Sequence, residues 1–273
     1  MTSNLRGSLC GALLTLLAFS ATAADDAEIE TVGKSESQLA KATQNPIADL
    51  ISVPFQNNTS YNFGARDRTQ NVLNIQPLIP INLTENWNLI TRTILPIVST
   101  PSGRNGQNRQ NGIGDTSFTA FLSPNEPLGN WLIWGAGPVF NIPTASDDRL
   151  GDDLWGAGLS FVGLTMQGPV VAGAIISNVW NLDGDDYSRF LLQYFVNYNF
   201  AGGWYLSSSP IMTANWEADN NDWLIPIGGG FGKVHRFGKQ PVNLSFQAFY
   251  NVEQNQFGAD WSTRFQVQLL FPK

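Results

Sequence analysis

One histidine, His235, and one cysteine, Cys10, are all that the chain offers for imidazole or thiol chemistry. Cys10 lies inside an N-terminal leader, so the mature chain has no thiol, which excludes disulfides, cysteine nucleophiles and thiolate metal sites. A serine hydrolase acting at a membrane surface needs a base beside its nucleophile. His235 is the sole candidate base, and its stretch, His235-Arg236-Phe237-Gly238-Lys239, has no evident serine and carboxamide set around it. The chain therefore does not read as an enzyme. The glycine run Gly228-Gly229-Gly230-Phe231-Gly232-Lys233 lacks the spacing of a phosphate loop, and Val234 stands where a Ser or Thr would meet magnesium. Glycines that let a strand curve or approach its neighbour closely explain the run better. Asp147-Asp148 with Asp152-Asp153, and Asp183-Gly184-Asp185-Asp186, offer oxygen ligands, but neither has the pattern of a complete calcium loop. Both fit solvated loops; a weak divalent ion shared with lipopolysaccharide is the alternative. No cofactor and no protein-held metal is expected.

What the sequence does offer is arginine among uncharged polar residues. Arg92, Arg189 and Arg264 sit in segments where polar and apolar residues alternate, so they share a face with Gln193, Asn197, Gln247, Glu253 and Gln266. A cation turned inward is costly unless it is paired. The expected partners are Asp115 and Glu253, or an acidic N-terminal arm. Guanidinium also binds planar acids bidentately and stacks on them, which lysine cannot reproduce. The same residues are thus candidate solute contacts, with a salt-bridged, merely rigid interior as the bland alternative.

The segments that carry these residues have strand period. Asp260 to Phe271 places Trp261, Thr263, Phe265, Val267, Leu269 and Phe271 on one face and Ser262, Arg264, Gln266, Gln268 and Leu270 on the other. An apolar face with aromatics at both ends suits a bilayer with two interfaces. A last strand in lipid must have its open edge paired, because unpaired backbone groups cost several kcal/mol each in hydrocarbon. The simplest partner is the first strand of the same chain. Roughly, the strand segments are Asn57–Phe63, Gln70–Leu83, Trp87–Ser99, Gly112–Ser123, Asn130–Ile142, Asp153–Met166, Pro169–Leu182, Tyr187–Phe200, Gly203–Trp216, Asp222–Val234, Pro241–Glu253 and Asp260–Phe271. Gly112–Ser123, Asn130–Ile142, Gly203–Trp216 and Asp222–Val234 alternate poorly. The expected fold is all-β: a transmembrane antiparallel up-and-down barrel of about 12 strands, an even number as closure requires.

Connections and tryptophans agree with that reading. Thr100–Asn111 and Pro143–Asp152 are long, whereas Thr84-Glu85-Asn86, Gln167-Gly168 and Ala201-Gly202 are short, the rhythm of outer loops against periplasmic turns. Trp87, Trp131, Trp155, Trp180, Trp204, Trp216, Trp223 and Trp261 fall near segment ends, as two headgroup-level girdles would place them. Pro77, Pro80 and Pro96 interrupt two neighbouring strands. With Pro77 opposite roughly Thr93 and Pro96 near Asn74, the missing donors gather in one patch, which is either a kink in the wall or a side opening.

Ahead of the strands, Met1 to Ala23 has Arg6, the apolar run Leu9–Phe19 and Ala21-Thr22-Ala23, the pattern of a cleaved secretory signal peptide. No later apolar stretch is long enough for a spanning helix. Residues 24–56 form an arm without a core of its own. In it, Ser35-Glu36-Ser37-Gln38 can cap a short helix that ends before Pro46, and Pro46–Leu50 can make a second turn. The arm is either a flexible periplasmic lead-in or a plug. Residues 57–273 are the barrel. Only 14% of residues are charged, and the net charge is −7, which argues against nucleic acid as a partner.

Gln44-Asn45-Pro46-Ile47-Ala48-Asp49-Leu50-Ile51-Ser52-Val53-Pro54-Phe55-Gln56-Asn57-Asn58, then Gln76-Pro77-Leu78-Ile79-Pro80 and the ending Leu269-Leu270-Phe271-Pro272-Lys273, resemble the outer-membrane barrel family labelled "MetA-pathway of phenol degradation", whose members are often named putative transporters or, misleadingly, neuromedin U. The likeness covers essentially the whole mature chain. It implies an outer-membrane barrel involved in uptake of aromatic or hydrophobic compounds, and it brings no catalytic residues. A chain of this kind is expected in the Gram-negative outer membrane with periplasmic termini. Its partners there would be membrane lipid and lipopolysaccharide, the barrel-assembly machinery and a small-molecule solute. Passive passage of that solute is the leading function; a non-conducting structural or surface-interaction barrel is the alternative.

Overall fold

The strand β1 (Ile51–Phe63) closes the molecule by pairing antiparallel with the last strand, β12 (Trp261–Phe271), from Ile51 opposite Phe271 to Tyr61 opposite Trp261. The computed structural model describes residues 34–102, 108–182, 184, 187–218, 223–255 and 258–272; the leader and part of the second acidic stretch lie outside these. Between the closing strands run β2 (Arg68–Ile75, continued by Leu78–Asn82), β3 (Trp87–Ser102), β4 (Asn108–Ile113, continued by Thr116–Pro124), β5 (Ile133–Ile142), β6 (Gly156–Gln167), β7 (Val170–Asn181), β8 (Ser188–Asn199), β9 (Trp204–Ser208, continued by Ile211–Asn215), β10 (Ile225–Phe237) and β11 (Gln240–Glu253). Each pairs with its sequence neighbours, giving a closed, antiparallel up-and-down barrel of twelve strands. No helix among the described residues is long and apolar enough to cross a membrane.

Facing follows the period-two pattern. Phe265 on β12 is 49% exposed on the outer surface, while its neighbour Arg264 is 8% exposed inside. Outward Phe161, Phe231, Phe246 and Leu206 extend the apolar outer surface around the barrel. Trp131 and Trp204 lie at the rim that carries both chain ends, the terminal rim; Trp155, Trp180, Trp216 and Trp261 ring the opposite one. Tyr61 stacks on Trp261 at 3.9 Å between ring centroids, tying the closing strands at that girdle.

β1 begins at Ile51, six residues before the expected start at Asn57. Residues 51–56, assigned above to the arm, belong to the wall: Pro54 costs the strand only its N–H, and its carbonyl still accepts the Gln76 N–H at 2.9 Å. At the other prolines the register is unbroken across the β2–β3 ladder, with Asn74 opposite Pro96 and Leu78 opposite Arg92, and the Thr93 N–H reaches the Pro77 carbonyl at 3.1 Å. The β2–β3 ladder thus runs past Pro77, Pro80 and Pro96 without a change of register. The local irregularity is an extra residue in β4 at Gly114–Asp115, beside Pro96.

The arm folds as the helix α1 (Glu36–Thr43), capped by reciprocal bonds between Ser35 and Gln38, followed by a second tight turn at Pro46–Ile47, closed by the Ala48 N–H on the Asn45 carbonyl. It lies inside the barrel at the terminal rim. Leu39, Ala40 and Leu50 are buried against Tyr205, Val234 and Leu270 of the inner wall. Ile47 is buried on the other side against Ile90, Phe121, Val162, Leu164, Val171 and Phe195. This inner apolar lining explains the weak alternation of β4: where the wall must bury the arm, both of its faces are apolar.

If the facing is right, charge on the outer surface at mid-strand is costly and charge inside is not. Val267→Arg is expected to destabilise the barrel in lipid by about 2–4 kcal/mol, and Gln266→Arg by much less. Urea titrations of both variants in the same vesicles check this; equal losses contradict the assigned facing.

Candidate functional site

Beyond the arm the lumen narrows around two arginines. Arg92 projects inward from β3, and its Nη2 donates to Gln76 Oε1 at 2.8 Å. Arg264 projects inward from β12; Nε donates to Asn58 Oδ1 at 3.1 Å and Nη1 to the Ser209 carbonyl at 2.8 Å. Its guanidinium stands over the Phe249 ring, 4.9 Å from the centroid. Both line one cavity of about 160 Å³ with Gln193, Asn197, Gln247 and Gln266. Its other walls come from the arm, through Gln44 and Asn45, and from Asn243, Gln268 and Tyr205. Tyr205 donates to Asn243 Oδ1, and Asn243 donates to Gln268 Oε1, so the amide lining is itself ordered.

The expected pairing with Asp115 and Glu253 is corrected by this geometry; the acidic stretch of the arm, Asp25 to Glu30, lies outside the described residues. Among the described residues the ion pairs are Arg149–Asp147, Arg189–Asp152 and His235–Glu36, none of which involves Arg92 or Arg264. The two lumen arginines are held by amides and a carbonyl, which satisfy N–H groups without cancelling charge, and their charges lie near enough to interact. One carboxylate of the arm goes to the rim: Glu36 Oε1 accepts from the Arg236 N–H at 3.0 Å and lies 3.1 Å from His235 Nδ1, pinning α1 to the terminal end of β10. Lys41 Nζ donates to the Gly168 carbonyl at 2.7 Å, and the Gln44 and Asn199 carboxamides bond each other at 2.9 Å, completing the attachment. His235 thus holds the arm at the rim.

Three residues expected in the lumen lie at the opposite rim. Asp115, beside the extra residue of β4, accepts the backbone N–H groups of Ala145, Asp152 and Asp153 and organises the connection between β5 and β6. Arg189 pairs with Asp152 at 2.9 Å, half exposed, and stacks on Tyr187. Burial pushes the Tyr187 phenol up to about 12, and its hydroxyl donates to Asp152. Glu253 is exposed at the end of β11. Period two gives a residue's face but not its height in the barrel, which is why these were grouped with Arg92 and Arg264. Gln76, Asn58 and Ser209 were missed: Gln76 sits in a Gln-Pro break, Asn58 in an Asn pair that resembles a turn, and Ser209 before Pro210.

A second cavity, of about 340 Å³, occupies the half of the lumen toward the opposite rim. Ile211, Leu224, Pro226 and Phe249 line it together with polar Ser60, Thr213, Asn251 and Ser262, and Arg264 lines it as well as the first cavity.

No family model and no curated protein matches this sequence. Among solved structures, an outer membrane channel from Pseudomonas putida F1 superposes with a TM-score of 0.62 at 19% identity, covering 81% of this chain and 95% of that one. KdgM porin in complex with disordered oligogalacturonate gives 0.47 at 9% identity over 81% of this chain and 99% of the porin. The outer membrane phospholipase A of Escherichia coli gives 0.41 at 14% identity over 88% and 99%. At such identities the likeness to the Pseudomonas channel is one of fold.

At the opposite rim a titration reports the loop that Asp115 organises. Side-chain bonds from Arg149, and then its backbone N–H, hold the Asp147 carboxyl down at about 2. A depressed carboxyl pKa stabilises the folded loop above the ordinary carboxylate range, and the contribution is lost as pH falls from there to about 2. Arg149→Ala removes the side-chain bonds but keeps the backbone N–H, so the Asp147 midpoint is expected to rise part of the way toward the ordinary range, read by carboxyl NMR titration of the protein in micelles; an unchanged midpoint contradicts the pairing.

Proposed function

We propose that this barrel is an outer-membrane channel for small anionic solutes, planar aromatic acids in particular, with both termini on the periplasmic side. One observation carries the reading: Arg92 and Arg264 face an amide-lined lumen, and no carboxylate among the described residues pairs with either. A low-dielectric wall strengthens that field, so a carboxylate is drawn to the constriction while cations are repelled. Gln193, Gln247 and Gln266 can accompany the anion with neutral donors, and the planar Arg264 guanidinium, backed by the Phe249 ring, is the group on which a planar solute would stack. The sequence resemblance to barrels of phenol-degradation pathways supports an aromatic solute, and the superposition on an outer membrane channel supports the fold this use requires. The single histidine lies at the rim, against Glu36 of the arm.

The arm favours a second reading, a barrel that conducts nothing. Its helix and turn fill the terminal half of the lumen with buried apolar contacts. Planar-bilayer recording separates the two. In a potassium chloride gradient the purified wild-type protein is expected to show an anion-selective reversal potential, and benzoate is expected to permeate. Arg92→Gln/Arg264→Gln, at matched insertion, is expected to lose the anion preference. Selectivity unchanged in that variant contradicts the constriction, and the absence of any conductance or solute-dependent liposome swelling leaves the non-conducting barrel.

A further inference from the structure

The cavity of about 160 Å³ holds two like charges, and no carboxylate among the described residues answers them. Arg92 and Arg264 are the charged residues of its lining, and no Asp or Glu stands there. Its other polar side chains are amides and hydroxyls, several of which bond one another: Tyr205 to Asn243, Asn243 to Gln268, Ser209 to Gln247.

Both guanidinium forks are only partly used. Arg92 donates through Nη2 to Gln76, which leaves Nε and Nη1 without an acceptor among the described residues. Arg264 donates through Nε to Asn58 and through Nη1 to Ser209, which leaves Nη2. None of these three nitrogens is sealed in protein, since the fully buried side-chain atoms that lack a partner among the described residues are Asn88 Oδ1, Thr165 Oγ1 and Gln254 Oε1. The open N–H groups therefore face free space in the lumen. Each arginine still has donors for a carboxylate that arrives from solution.

The two arginines also come from well-separated parts of the wall. Two strands, β1 and β2, stand between β12 and β3. Arg264 lies opposite Asn58 of β1, whereas Arg92 lies opposite Leu78, which lies opposite Ser52 of β1. The stretch of β1 from Ser52 to Asn58 is about 20 Å of strand. The guanidiniums reach each other's field because both side chains extend into the lumen. The site is thus a pair of positive ends joined by one cavity. A single carboxylate placed there leaves one guanidinium unanswered in a confined, low-dielectric space, which is costly. A solute with a carboxylate at each end of a rigid body answers both. A cavity of about 150 Å³ already admits benzene, so the body between the charges has room for about one ring.

We infer that this cavity is a two-point site for small dicarboxylates, one carboxylate on Arg92, the other on Arg264, with a single ring or a body of similar length between them. The inference rests on the anion-binding part of the reading above and narrows it: acids with one charge pass, and acids with two are held. Arg92 is then the residue that sets the preference. Arg264, backed by Phe249, serves any planar acid, and only a second carboxylate needs Arg92.

The test compares terephthalate with its monomethyl ester, which keeps the ring and loses one charge. Both are titrated calorimetrically into the purified mature chain in micelles, at neutral pH and one fixed ionic strength. Wild type is expected to bind terephthalate about tenfold more tightly than the ester. Arg92→Gln is expected to bind the two alike, with affinity for the ester falling less than affinity for the diacid. Arg92→Lys keeps the charge and is expected to keep a reduced preference for the diacid. Equal binding of the two probes by wild type overturns the inference, as does binding of neither, or a preference that survives in Arg92→Gln. If the glutamine variant does not fold, the wild-type comparison alone decides. Failure here is distinct from failure of the channel. Preferential diacid binding by a barrel that passes no current overturns conduction and leaves the two-point site, whereas an anion-selective channel that binds both probes alike overturns the two-point site and leaves conduction.

Discussion

Backbone hydrogen bonding in a medium without water is the constraint from which the rest of this structure follows. A sheet that presents Phe265, Phe161 and Phe231 to hydrocarbon cannot leave an edge, so β1 must reach β12, and the first strand must start early enough to match the full length of the last. That demand draws Ile51–Gln56 into the wall despite Pro54. It also leaves the arm attached directly to the terminal rim, with no linker to carry it away. Its apolar residues Leu39, Ile47 and Leu50 then have one dry surface within reach, the inside of the barrel, and the inner wall is apolar where they land.

Packing of that kind occupies the terminal half of the lumen and concentrates function in what is left. Two guanidiniums in a confined space repel each other, and removing them from water is costly. Carboxylates could neutralise them; instead the wall supplies Gln76, Asn58 and the Ser209 carbonyl. Such partners meet the geometric demand of the N–H groups and leave the electrostatic demand open. An interior built only for rigidity would gain from closing that demand with a carboxylate. Asp115, Asp147 and Asp152 show that the chain uses carboxylates readily where a loop must be ordered.

Much of this was legible in the sequence, and the legible parts share a cause. Period two in β12, the tryptophans at strand ends and the capping pair Ser35 and Gln38 are local consequences of backbone geometry, so a single stretch of sequence declares them. The register at Pro77 and Pro96 could be counted outward from the β2–β3 turn for the same reason. Height within the barrel is not local. Arg189 and Arg264 have the same facing, but one ends in solvent beside Asp152 and the other in the lumen beside Asn58, a difference set by strand stagger around the whole sheet. The prolines of β2 and β3 attracted attention because they are many, yet their neighbours keep register. The ladder that does lapse, between β9 and β10 at Ser209-Pro210, depends on what stands across from it: Pro226 and Gly228–Gly229 on β10, residues that a reading along one strand does not bring together.

Arg264 joins these threads. Its guanidinium lines both cavities, ties the Ser209 carbonyl that the β9–β10 ladder leaves free, and stacks on Phe249. The planar fork permits all of this at once, with Nε directed to Asn58, Nη1 to Ser209 and a flat face to the ring, whereas a lysine ammonium could make at most part of the set. An anion arriving at Arg264 competes with the Ser209 carbonyl for the same N–H groups, and a charged acceptor forms the stronger bond. The proposed anion site and the fold of β9 at Ser209 thus share one side chain.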